Sequence, residues 1–140
     1  MCSKLGVELT IGAPKKYQFE SAFIDGLNQA AGRTVIRQTE DPAAAATCAN
    51  FLYTDVWTSM GQEAENEERV ADLQGYQINA KLMQQAADGA FFLHCLPARR
   101  GEEVTSQVID SPQSAIVEQA NNRLHAQKGL VVWLMTEANS

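Results

Sequence analysis

A chain of 140 residues with 17 acids against 11 bases and a net charge of −6 can bury one core, but it lacks the basic footprint that nucleic-acid phosphates require. Its 45% apolar and 7% aromatic content excludes a disordered chain, and the longest apolar run, Leu130 to Met135, is far too short to span a bilayer. The cysteines Cys2, Cys48 and Cys95 are odd in number and widely spaced, so neither a disulfide framework nor a zinc site is indicated, and the set fits a reducing, cytoplasmic setting.

The start, Met1-Cys2-Ser3-Lys4, carries no apolar signal core. Val7 to Ile11 alternates and is rich in strand formers, and Gly12-Ala13-Pro14 closes it. Phe19, Phe23 and Leu27 recur every four residues, which predicts an amphipathic helix over Glu20–Ala31 with Gly32 as its C-terminal cap. Thr34 to Gln38 reads as a second strand. Asp41-Pro42 is a helix start, with Asp as N-cap and Pro at the first helical position. That helix is expected to continue through Ala49 and to carry Cys48 as a small buried hydrophobe.

Phe51 to Asp55 is a third strand. Ser59 to Gln62 fits a capping box, and Glu63, Glu65, Glu67 and Glu68 suit the first turns of the helix that follows, ending near Gln74-Gly75. Asn79 caps a further helix through Ala87, and Asp88-Gly89 turns the chain into a strand from Ala90 to Cys95. Asp110-Ser111-Pro112 is a turn, Ala115 to Val117 is a candidate fifth strand, and Asn121 opens a last helix to about Glu137.

Strands and helices alternate throughout, without repeats or linkers. The expected fold is therefore α/β: one three-layer, Rossmann-like domain over residues 1–140, with a mostly parallel sheet of about five strands flanked by helices.

The chemistry gathers at strand ends. Phe91-Phe92-Leu93-His94-Cys95-Leu96-Pro97 delivers an imidazole and a thiol to the carboxyl end of a buried strand, the edge at which open α/β sheets bind ligands. Asp55 ends another strand, where a carboxylate can hold an ammonium group. Ser59 and its helix start offer backbone N–H groups to a carboxylate. Arg123, expected near a helix N-terminus, presents a guanidinium fork to an anion. His125 gets no role, and Lys15-Lys16 are ordinary loop charges.

His94-Cys95-Leu96-Pro97, Asp55-Val56-Trp57-Thr58-Ser59-Met60-Gly61 and Asn122-Arg123, in this order, resemble ornithine carbamoyltransferase, specifically its carboxyl-terminal, ornithine-binding half. The resemblance runs from about Gly6 to about Leu134. It implies transfer of a carbamoyl group from carbamoyl phosphate to L-ornithine, giving citrulline and phosphate, in arginine metabolism and with no cofactor. It implies that Asp55, Ser59 and Met60 bind ornithine. It implies that Cys95 is catalytic, near the reacting amine, and that His94, Cys95, Leu96 and Arg123 bind carbamoyl phosphate. A thiol has a pKa of about 8.5, so Cys95 would need a nearby cation or dipole before it could accept a proton. Arg99 departs from the family pattern, where His is expected, which touches the conformation of the loop Arg100-Gly101-Glu102-Glu103.

The family's Ser-x-Arg-Thr phosphate motif is not found in this chain, so the amino-terminal carbamoyl-phosphate domain is expected to be absent and the isolated chain inactive. Leu130-Val131-Val132-Trp133-Leu134-Met135 is apolar on every helical face. Left uncovered, it predicts self-association or pairing with a separate amino-terminal half. The rival readings are a carbamoyltransferase half for another amine and a non-catalytic amino-acid-binding or assembly module. A flavodoxin-like or nucleotide-binding domain is disfavoured, because Gly12-Ala13-Pro14-Lys15-Lys16 is no phosphate loop.

Overall fold

A computed structural model describes residues 2–58 and 66–137. A short helix α1 (Cys2–Leu5) leads into strand β1 (Leu9–Gly12), and helix α2 (Ser21–Ala31) returns the chain to β2 (Ile36–Thr39). Helix α3 (Pro42–Ala46) precedes β3 (Phe51–Thr54); α4 (Asn66–Leu73) and α5 (Ala80–Met83) precede β4 (Phe91–His94). Helices α6 (Ser106–Ile109) and α7 (Ile116–Glu137) complete the chain.

The local signals act where the sequence places them. Gly32 ends α2 in the left-handed conformation, at φ 69°, which a residue with a side chain rarely adopts. The Asp41 carboxylate accepts from the Ala43 N–H at 2.8 Å, and Asn79 Oδ1 accepts from the Leu82 N–H at 3.0 Å, so both caps satisfy a helix-end donor. Asn28 on α2 ties that helix to β2. Its Oδ1 accepts from the N–H groups of Val35 and Ile36, both at 2.9 Å, and its Nδ2 donates to the Ile36 carbonyl at 2.9 Å.

The expected single sheet of about five strands is corrected. β1 pairs in parallel with β2, and β3 in parallel with β4, as two separate two-stranded sheets. The fifth strand expected at Ala115–Val117 is reduced to one bridge, Phe92 with Ser114, because α7 already begins at Ile116. The core is divided in the same way. Leu52, Phe92, Met83, Val104 and Val108 pack beneath β3 and β4, whereas Ile24, Val35 and Ile36 pack around β2 and α2.

Other expectations also shift. The α3 helix stops at Ala46, and Cys48 lies beyond it, exposed and at φ 58°, instead of buried in a helix. Phe19 and Phe23 remain exposed at 55% and 54%; Ile24 is the residue of α2 that is buried. The helix after Asn79 ends at Met83, four residues before Ala87. The capping box Ser59–Gln62 lies outside the described residues. Side chains 121–136 of α7 are all exposed, although among the described residues no helix is long and apolar enough to cross a membrane.

Candidate functional site

Parallel pairing sets the site. Thr54 of β3 lies opposite His94 of β4, so the residues that follow them, Asp55 and Cys95, emerge side by side at the carboxyl ends. Donor atoms of Asp55, His94 and Cys95 all lie within 4.8 Å of one another. The sequence places an acid, an imidazole and a thiol 40 residues apart along the chain, and the register of one strand pair unites them.

His94 faces inward. Its side chain is fully buried, its Nε2 lies 3.1 Å from Glu103 Oε1, and the Leu96 N–H donates to its Nδ1 at 2.9 Å. The bond to Nδ1 leaves the ring proton on Nε2, donated to the Glu103 carboxylate. Both ring nitrogens are thus engaged within the protein. Any influence of His94 on a ligand passes through the backbone turn it holds, where Leu96 adopts φ 59° and the Leu96–Pro97 peptide is cis. A left-handed leucine costs about 1–2 kcal/mol, which the His94 bond at this residue offsets.

Glu103 is the residue that sequence reasoning missed. It is fully buried and also accepts the Arg99 N–H at 2.6 Å, so it fixes both ends of the loop between Cys95 and Val104. Its Oε2 has no partner among the described residues. In the sequence it sits in a polar stretch, Arg99 to Glu103, where an acid reads as solvated. Arg99 donates to Asn66 Oδ1 at 3.1 Å and so links this loop to α4.

The Cys95 thiol is partly buried and flanked by Asp55 and Tyr53. Burial, and then the Asp55 carboxylate, push the thiol above its ordinary range, while the Tyr53 hydroxyl acts in the opposite sense. Tyr53 is itself pushed up to about 12 by burial and by Cys95. The lowering effect of the Tyr53 hydroxyl is outweighed by burial and Asp55. The condition for Cys95 to act as a base is therefore not met here, and the thiol keeps its proton at neutral pH.

An open groove of about 730 Å³ adjoins Cys95. The turn Cys95–Ala98 forms one wall, and Ala120, Arg123, Leu124 and Gln127 on one face of α7 form the other. Arg123 is not near a helix N-terminus as expected, because α7 starts at Ile116; its place in the groove comes from the helix face alone. Ser59 and Met60 lie outside the described residues. The buried pair Trp57 and Thr58 anchors the chain immediately before them. The three-donor cluster is a poor metal cradle. With both His94 nitrogens used, only Asp55 and Cys95 remain, fewer than the three or four protein ligands that zinc takes.

An acid and a thiol thus lie at adjacent parallel strand ends, the edge at which open α/β sheets bind ligands, beside a groove with one guanidinium. Residues 1–134 match the aspartate/ornithine carbamoyltransferase family, Asp/Orn binding domain. The ornithine carbamoyltransferase of Symbiobacterium thermophilum is 47% identical over 135 residues, covering 95% of this chain and 44% of the relative. The ornithine carbamoyltransferase structure from Pyrococcus furiosus superposes with a TM-score of 0.81 at 44% identity, over 92% of this chain and 42% of that one. The anabolic ornithine carbamoyltransferase of Campylobacter jejuni gives 0.88 at 32% identity, over 97% and 46%. The chain belongs to the aspartate/ornithine carbamoyltransferase family, to which it contributes the Asp/Orn binding domain, and it spans less than half the length of these relatives.

Proposed function

We propose that the chain is the ornithine-binding half of an ornithine carbamoyltransferase and that it works together with a carbamoyl-phosphate half. The observation that carries this is the juxtaposition of Asp55 and Cys95 at neighbouring strand ends beside the groove that holds Arg123. Asp55 is exposed and suits the ammonium of an amino acid, with Ser59 and Met60 taking its other polar end. Arg123 suits a phosphoryl oxygen, and the Leu96 turn, fixed through His94 and Glu103, suits the carbamoyl group.

In the reaction, the neutral amine of ornithine forms a bond to the carbamoyl carbon as the carbon–oxygen bond to phosphate breaks. One amine proton must leave. Cys95 already holds a proton, so it serves as a hydrogen-bonding neighbour of the amine, and the departing phosphate takes the amine proton and leaves as the hydrogen phosphate dianion. Holding both reactants in one site supplies up to roughly 7–11 kcal/mol of such a barrier, a contribution that half a site does not make. The exposed Leu130–Met135 face of α7 suits burial against the other half.

The test is citrulline formation from ornithine and carbamoyl phosphate. The chain alone is expected to give no more than the uncatalysed background. Mixed with the separately produced remaining half of the Gloeobacter violaceus ornithine carbamoyltransferase, a relative 46% identical over 136 residues, it is expected to give citrulline. Turnover by the chain alone would overturn the half-site account.

A further inference from the structure

One face of the β3–β4 pair carries a ladder of side chains that leads to the site. Phe51 lies opposite Phe91, with their rings stacked at 6.4 Å, and Tyr53 lies opposite Leu93. Asp55 and Cys95 continue the same face just beyond the strand ends, with donor atoms within 4.8 Å of each other. Leu52, Phe92 and His94 point the other way and are buried. Tyr53 therefore stands between the aromatic pair and the acid–thiol pair. It is the diagonal neighbour of Cys95, a separation of about 7–8 Å that an aromatic side chain spans. Its hydroxyl bonds to the Cys95 thiol, and the thiol bonds to the Asp55 carboxylate.

These three groups share two hydrogens. A carboxylate only accepts, while a thiol and a phenol each have one hydrogen to give. The thiol hydrogen therefore goes to Asp55. The second contact then forms only with the Tyr53 O–H donating to Cys95 Sγ. Asp55 is itself held in place, because Oδ1 accepts the Val56 N–H at 2.7 Å. The other ionisable groups about the thiol are His94, whose two nitrogens are engaged by Glu103 and by the Leu96 N–H, and Arg123, which lines the groove from α7.

We propose that Tyr53 is a positioning residue of the site: its hydroxyl donates to Cys95 Sγ and, with Asp55 taking the thiol hydrogen, fixes the thiol rotor before any ligand arrives. A lone Cys95–Asp55 contact leaves the thiol free to turn about that one bond. A second bond from the neighbouring strand removes this freedom, which is the use of a supporting contact beside a reacting group. That the fixed thiol lies beside an amine rests on the ornithine reading; the row Tyr53–Cys95–Asp55 does not.

The test is the pH profile of iodoacetamide labelling on the intact 140-residue chain, read separately at Cys95 and at Cys48 across the alkaline range. A phenol that donates to sulfur bonds the thiolate more strongly than the thiol, so it favours ionisation, whereas the Asp55 carboxylate opposes it. Tyr53→Phe keeps the ring and removes one oxygen from a side chain that is 55% exposed, so the core is untouched. It should move the Cys95 midpoint up by about half a unit or more, which slows labelling below the midpoint by about threefold. Asp55→Asn should move the midpoint down, and exposed Cys48 should keep its profile in both variants. A Tyr53→Phe profile at Cys95 that overlays the parent, or moves down, would overturn the proposal. A shift in Tyr53→Leu but none in Tyr53→Phe would assign the effect to cover by the ring and overturn it as well. No amino acid is present in this measurement, so its failure removes the role of Tyr53 and leaves the ornithine reading to its own test.

Discussion

Replacing Glu103 with alanine strips the buried carboxylate from beneath the Cys95–Leu96 turn. In the parent, Glu103 Oε1 accepts from the His94 Nε2–H and from the Arg99 N–H, and both it and His94 have no solvent exposure. Alanine leaves the fully buried His94 Nε2–H without a partner, at about 1–3 kcal/mol, and takes the acceptor from the partly buried Arg99 N–H as well. A domain of this size has about 5–15 kcal/mol in all, so the variant should lose a large part of its stability. Glu103→Gln keeps an acceptor oxygen at the same place and loses only the charge assistance, so it should fall between the two. Urea unfolding followed by circular dichroism gives the order directly: alanine least stable, glutamine intermediate, parent most stable. A Glu103→Ala variant within about 0.5 kcal/mol of the parent would behave as a surface substitution and refute the buried network.

Other expectations follow from the same contacts. Iodoacetamide should label Cys95 more slowly than exposed Cys48 at mildly alkaline pH, because burial and Asp55 hold its proton in place; Asp55→Asn should speed the Cys95 reaction, and equal rates in parent and variant would contradict this. A proton held more tightly in the fold stabilises fully below the ordinary thiol value and loses that effect as pH rises beyond it. Stability should therefore fall less steeply above pH 9 in Cys95→Ser than in the parent, and parallel profiles would remove Cys95 from the account. Asn28→Ala removes three hydrogen bonds between α2 and β2 and should cost about 2–4 kcal/mol in urea unfolding; a loss below about 0.5 kcal/mol would show that the helix is held by packing alone.

The strands and the residues at their carboxyl ends were legible because their signals are local. Apolar runs bounded by Gly and Pro located β1 to β4 within a few residues, and Asp41, Asn79 and Gly32 marked helix ends that the structure keeps. The motif around His94 and Cys95 fell at a strand end for the same reason. The division into two sheets was not legible, because alternation of elements says nothing about which strand edges meet. Cys48 and the fifth strand were misjudged where helix ends decide: α3 stops at Ala46, and α7 begins at Ile116. Glu103 was missed because its burial depends on a contact nine residues away with a histidine that points inward. The exposure of Val131 and Trp133, at 53% and 56%, shows apolar surface outside the chain's own core, as the apolar run at 130–135 predicts.

The central claim is that Asp55 and Cys95 form a preformed ornithine half-site. An NMR titration of the chain with L-ornithine, repeated on Asp55→Ala, tests it most directly. Binding of even millimolar strength, only about −4 kcal/mol, shows as shifts in fast exchange. The account predicts shifts centred on Asp55 and Cys95 that vanish in the variant. No shifts at high ornithine, or shifts that survive loss of Asp55, would contradict it.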